Sequence, residues 1–183
     1  MNTTLPFIIT GGPGSGKTTL LESMECEEIQ VFPEVPRQLI IEQSRVINGT
    51  LPWVDLSGFA ELCFREMLTQ KQVTLNYPLT FLDRAIPDIC AYLSWGNLEI
   101  PQHIALEASS GYQQLVIFCE PTLETYVQDD IRPYPFEEAL VIHRKLYQLY
   151  ESMGYQIVSL PLLPVKERAA LLTSICREYL RVV

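Results

Sequence analysis

The stretch Gly11-Gly12-Pro13-Gly14-Ser15-Gly16-Lys17-Thr18 constrains this chain more than any other. It fits the phosphate-binding pattern G-x-x-x-x-G-K-[ST], which works only between a buried strand and a helix. Residues 5–10, Leu-Pro-Phe-Ile-Ile-Thr, read as that strand, and residues 19–24, Thr-Leu-Leu-Glu-Ser-Met, as that helix. Glycines let successive backbone N–H groups turn toward one point without a Cβ clash, and the helix N-terminus adds partial positive charge there. Nucleotide phosphates are therefore expected against Gly12, Pro13, Gly14, Ser15, Gly16, Lys17, Thr18 and Thr19. Lys17 reaches the β- and γ-phosphates, and Thr18 places its hydroxyl on Mg2+, so that ATP with Mg2+ is the expected ligand pair.

A carboxylate for that metal is predicted at the end of a second apolar run. Residues 77–83, Tyr-Pro-Leu-Thr-Phe-Leu-Asp, carry hydrophobic side chains straight into Asp83, the Walker-B arrangement in which a strand delivers an acid toward the ion held by Thr18. Arg84 follows at once and suits a phosphate or a carboxylate such as Glu34. Asp88 reads as the cap of a helix over residues 89–95. A second strand is read over residues 28–32; residues 33–37 then read Pro-Glu-Val-Pro-Arg, placing Glu34 and Arg37 where open α/β sheets hold ligands, and Gln38 opens a helix. Two readings of that pair stand side by side: a ligand-facing acid and base, or a helix start whose dipole favours Glu34 while Arg37 is solvated.

Downstream, Asp55-Leu56-Ser57-Gly58 matches the D-x-x-G of GTPase switches, but no apolar strand precedes it and the chain has no N-K-x-D. It is read as a helix start capped by Asp55 or Ser57, followed by a core stripe through Phe59, Leu62, Cys63, Glu66 and Met67. A fourth strand is predicted over 113–119 and a fifth over 155–160. Between them, residues 126–136 are polar and bounded by prolines, which suggests a lid loop over 128–135 with Arg132 as its cation. His143 and His103 read as packing or solvated side chains. Pro161-Leu162-Leu163-Pro164 leads into a last helix and is a candidate wall for a nucleotide base, although turn chemistry explains its prolines equally well.

The 183 residues suit one domain. A net charge of −9 argues against nucleic acid bound over a broad basic face. The five cysteines are scattered with no C-x-x-C pair, so buried reduced thiols are expected rather than a zinc site. No basic leader or membrane-length apolar run is seen, and the expected location is the cytoplasm.

Through GGPGSGKTTL (11–20), PEVPRQLI (33–40), LDRAIPDICAY (82–92), FCEP (118–121) and VSLPLLPVKER (158–168), the chain resembles the single-domain AAA-type "predicted ATPase" family of P-loop NTPases. It also looks like a distant relative of the deoxynucleoside and nucleoside-monophosphate kinases. That likeness implies Glu34 as base, Asp83 and Arg84 as the acid–Arg pair ending the third strand, and Arg132 as a lid arginine. The segment departs from the kinase pattern after Arg84, and no Arg-rich lid follows. The expected fold is a three-layer α/β/α sandwich with a mostly parallel five-stranded sheet. Two functions are carried forward: an enzyme that transfers or hydrolyses the γ-phosphoryl of Mg·ATP, using Lys17, Glu34, Asp83, Arg84 and Arg132 on a small-molecule or protein acceptor, and a nucleotide-dependent switch that recruits a partner.

Overall fold

Residues 7–10 are apolar or β-branched and fully buried, which suits a strand covered on both faces. The computed structural model describes residues 4–73, 77–128 and 135–182. Its elements alternate as β1 (Phe7–Thr10), α1 (Lys17–Glu22), β2 (Ile29–Phe32), α2 (Val35–Gln43), α3 (Leu56–Gln72), β3 (Leu79–Asp83), α4 (Ile86–Trp95), α5 (Gln102–Ala108), β4 (Leu115–Cys119), α6 (Phe136–Ser152), β5 (Gln156–Leu160) and α7 (Val165–Val182). The sheet order is β2-β3-β1-β4-β5 and every pairing is parallel, so the expected architecture is found with a sheet that is wholly parallel.

Period-two alternation builds the layers. Phe7, Ile9, Phe81 and Ile117 pack on one side with Leu20 of α1 and Leu172 and Cys176 of α7. Ile8, Leu82, Val116 and Phe118 face the other side, against Ala91 of α4 and Ile142, Leu146 and Tyr150 of α6. A separate cluster joins α2, α3, α4 and α5 through Leu39, Phe59, Met67, Ile89 and Ile104, and forms a helical wall beside the sheet. Strand β1 lies between β3 and β4, where the order in which strands are added to the sheet reverses, and its carboxyl end carries the glycine-rich loop. Parallel sheets of this kind collect ligands there.

Three sequence expectations need correction. Helix α2 starts at Val35 and α4 at Ile86, each about a turn earlier than expected, because Pro36 and Pro87 sit in first turns where a missing N–H costs nothing. Asp88 is therefore inside α4, where it accepts from the Ala85 N–H at 3.1 Å rather than standing ahead of the helix. The seven-residue α5 was not foreseen. Asp55 caps α3 by accepting from the Gly58 N–H at 2.9 Å, as read from sequence. Four of the five free thiols are buried, while Cys26 is exposed.

Candidate active site

The loop between β1 and α1 leaves no room for side chains at two of its glycines. A Cβ at Gly11 would lie 2.0 Å from the Cys119 carbonyl oxygen, and one at Gly14, with φ of 76°, would lie 2.5 Å from the Tyr126 ring. Among the described residues, no acceptor engages the amides of Gly14, Ser15, Gly16, Lys17 or Thr18. Buried amides without partners are costly, and an anion in the loop would satisfy them. Lys17 is buried with Nζ 3.3 Å from the carbonyls of Gly11 and Gly12 and 3.0 Å from Ser15 Oγ. Burial and then the nearby Arg84 guanidinium hold its pKa below the usual lysine value, with Asp83 and Glu34 opposing them. A bound phosphate would supply the charge this ammonium lacks.

Three distant side chains hold the loop in shape. Arg168, in the first turn of α7, donates through Nη1 to the Ser15 carbonyl at 2.9 Å. The Thr125 hydroxyl donates to the Gly14 carbonyl. His143 accepts the Gly12 N–H at Nδ1, 3.1 Å away, and burial lowers its pKa, which suits a neutral ring acting as acceptor. The Gly12 amide is thus committed to α6, whereas Thr19 is exposed on α1.

Strand β3 alternates Leu79 and Phe81 toward the α1 side, and Asp83 continues that face to the sheet's edge. Its Oδ2 accepts from the Thr18 hydroxyl at 2.9 Å, joining the two expected metal ligands. Its Oδ1 is buried with no hydrogen-bond partner. Burial, and then the Glu34 charge, push the Asp83 carboxyl up to about 6 despite the attraction of Lys17 and Arg84. An orphaned carboxylate oxygen beside a threonine hydroxyl fits Mg2+, which keeps several waters and takes few protein ligands. No cluster of three or more His, Cys, Asp or Glu side chains that could hold a metal ion occurs among the described residues.

Immediately after Asp83 the backbone turns into the left-handed region at Arg84, φ 70°, which costs a long side chain of order 1 kcal/mol. The turn aims a buried guanidinium between two acids: Nε donates to Glu34 Oε1 at 2.9 Å and Nη1 to Asp88 Oδ1 at 3.0 Å. Asp88 is the hub of that network. It also accepts from Thr10 Oγ1 at 2.5 Å and from the Tyr150 hydroxyl at 2.6 Å. Glu34 occupies the N-cap position of α2 but makes no capping bond with its side chain; the carboxylate turns to Arg84 instead.

Glu34, Arg84 and Asp88 line a cavity of about 250 Å³ together with Pro13 of the phosphate loop. The cavity then runs between α2, α3 and α4, walled by Trp53, Phe59, Tyr92 and Trp95. The structure thus gathers Lys17, Thr18, Asp83, Glu34 and Arg84 at one end of the sheet. Arg132 and most of the expected 128–135 lid lie outside the described residues. His103 meets Glu61 on the surface, 3.0 Å away. Asp88, Tyr150, His143 and Arg168 are the site's supports that sequence reading missed or gave other roles. A carboxylate inside the apolar run Ile86-Pro87-Asp88-Ile89-Cys90 was the available sign for the first of them.

Comparison with solved structures places the fold among small P-loop kinases. A NadR protein in complex with NR superposes with a TM-score of 0.65 at 16% identity, covering 87% of this chain, which spans 46% of that chain's length. Deoxyadenosine kinase from M. mycoides with bound dATP gives 0.60 at 13% identity over 94% of this chain and 100% of that one. Shikimate kinase from Acinetobacter baumannii gives 0.55 at 17% identity over 97% and 96%. A comparison with curated protein sequences finds no match. No helix among the described residues is long and apolar enough to cross a membrane. The parallel sheet, the phosphate loop and the acid at the end of β3 are joined by a family model described as an AAA domain that matches residues 6–168, and the chain belongs to that P-loop family.

Proposed function

We propose that this protein binds Mg·ATP in the loop of residues 11–18 and transfers its γ-phosphoryl group to a hydroxyl of a small acceptor in the adjoining cavity. The observation that carries this reading is the position of Glu34. Its carboxylate leaves the helix start it stands on, pairs with Arg84 at 2.9 Å, and faces the same cavity as Pro13. A residue serving only the α2 dipole has no reason to do so. Structures of similar fold with bound NR, dATP or shikimate support a small acceptor over a protein one.

In this reading the loop amides and Lys17 hold the β- and γ-phosphates, and Thr18 with Asp83 would hold Mg2+. The ion, when bound, neutralises charge on the phosphate oxygens. Glu34 takes the acceptor's hydroxyl proton as that oxygen forms its bond to phosphorus, the bond from phosphorus to the β-phosphate oxygen breaks, and ADP leaves with its electron pair. Arg84 pairs with Glu34 and orients it; Asp88, anchored by Thr10 and Tyr150, keeps Arg84 in place. Arg132 is proposed to approach the transferring group from the 128–135 segment.

The experiment is ADP release measured with and without candidate acceptors for the parent, Lys17→Ala and Glu34→Gln. An acceptor-dependent rate that Glu34→Gln abolishes while ATP still binds establishes transfer. A slow rate insensitive to every acceptor and to Glu34 favours the switch reading instead. The Thr125 bond to the Gly14 carbonyl gives that reading its own basis, because it ties the segment before residue 129 to the phosphate loop.

A further inference from the structure

Two buried cations converge on Ser15, and neither forms an ion pair among the described residues. Lys17 reaches the Ser15 hydroxyl at 3.0 Å and otherwise bonds only to the carbonyls of Gly11 and Gly12. Arg168 reaches the Ser15 carbonyl at 2.9 Å. It is 3% exposed, and its Nε and Nη2 are buried with no hydrogen-bond partner. Arg84 differs, because Glu34 and Asp88 both answer its charge. A buried lysine can give up its proton, but a guanidinium stays charged. An unpaired buried ion is costly, and α7 does not offset that cost, since a cation in a first turn opposes the helix dipole. A side chain that merely bridged α7 to the loop could make the same bond as a neutral amide. The charge of Arg168 therefore calls for an anion that no described side chain supplies.

The position of Arg168 shows how such an anion would feel it. The Ser15 carbonyl and the Gly16 amide belong to one peptide unit, so a cation on the oxygen makes the N–H more positive. That amide is one of those that no acceptor engages. Gly16 permits the approach: its φ is 69°, and a Cβ there would lie 3.3 Å from Arg168 Nη1. We propose that Arg168 is a positioning residue for the nucleotide's phosphate chain, a permanent buried charge whose counter-ion is the polyphosphate and which acts through the Ser15–Gly16 peptide without touching the ligand. This step rests on the reading that the loop of residues 11–18 holds nucleotide phosphates.

Arg168→Gln keeps an N–H donor for the Ser15 carbonyl and removes the charge, whereas Arg168→Lys keeps the charge. The full-length parent and both variants are melted without ligand, then titrated without Mg2+ against inorganic tripolyphosphate and a fluorescent ADP analogue. Expected for Arg168→Gln is a loss of at least about fivefold in affinity for both probes, with a ligand-free melting temperature at or above the parent's. Arg168→Lys should bind both probes more tightly than Arg168→Gln. A structural bridge gives the opposite pattern, a lower ligand-free melt with affinity kept by the folded protein. The proposal is overturned by a smaller loss in Arg168→Gln, by its unfolding or melting below the parent, by an effect confined to the ADP analogue, or by Arg168→Lys binding no better. Failure of the parent to bind either probe would remove the nucleotide reading itself. Binding by the parent that Arg168→Gln leaves unchanged removes only the role of Arg168.

Discussion

Replacing Asp83 with asparagine should make the ligand-free protein more stable while destroying its metal-dependent chemistry. The carboxyl is raised from 3.8 to about 6 by burial and by the Glu34 charge. A group that holds its proton more tightly folded than unfolded contributes stability fully below about pH 4, and that contribution is lost as pH rises through about 6. At neutral pH the charged form therefore costs the fold roughly 3 kcal/mol. Asparagine keeps an oxygen for the Thr18 hydroxyl and never ionises. That value already includes the attraction of Lys17 and Arg84, so a net stabilisation of up to about 3 kcal/mol is expected near pH 8, or roughly 6–12 °C in Tm. Near pH 4.5 the gap should shrink to about 1 kcal/mol, or roughly 2–4 °C. Thermal melts in matched buffers across this range provide the test, repeated with Mg2+ and a non-hydrolysable ATP analogue, which should stabilise the parent far more than the variant. A variant that melts below the parent by the same margin at both ends of the range would refute the claim that Asp83 is a strained, metal-facing carboxylate.

Lys17→Ala should eliminate binding of a fluorescent ATP analogue while the protein still melts cooperatively, since the ammonium it removes is buried at an energetic cost. Glu34→Gln should lower kcat by roughly 10²–10⁴-fold with any acceptor that supports turnover, leaving ATP affinity within about twofold, as initial-rate kinetics will show. Gly14→Ala forces a left-handed residue against the Tyr126 ring and should lower Tm by roughly 2–12 °C, together with nucleotide affinity. Tyr150→Phe keeps the volume but strips one donor from Asp88, and a loss of about 1.5–3 kcal/mol in denaturant melts is expected, accompanied by a lower kcat.

What could be read from the sequence was local. The phosphate loop, β1, the Asp83–Arg84 step and the Asp55 cap each declare themselves within a dozen residues, because glycine freedom, apolar runs and capping chemistry act over that range. Two helix starts were placed about a turn late: Pro36 and Pro87, read as lying ahead of their helices, are first-turn residues within them. Helix α5 was too short for any periodicity to show. The roles of Asp88 and Tyr150, 62 residues apart, and of Gly12 and His143, 131 apart, depend on which faces the sheet brings together. His143, taken for a packing or solvated side chain, turned out to hold the loop by a single amide.

The contact between Arg168 and Ser15 spans 153 positions of the chain. A polypeptide leaving the ribosome therefore exposes its phosphate loop early and receives the arginine that steadies it only when α7 emerges. Strands β3 and β4, which flank β1, also arrive after it. Until then Lys17 has neither its buried surroundings nor a finished cradle. The shape of the loop is thus steadied by a helix that contributes no residue to the phosphate-binding motif itself.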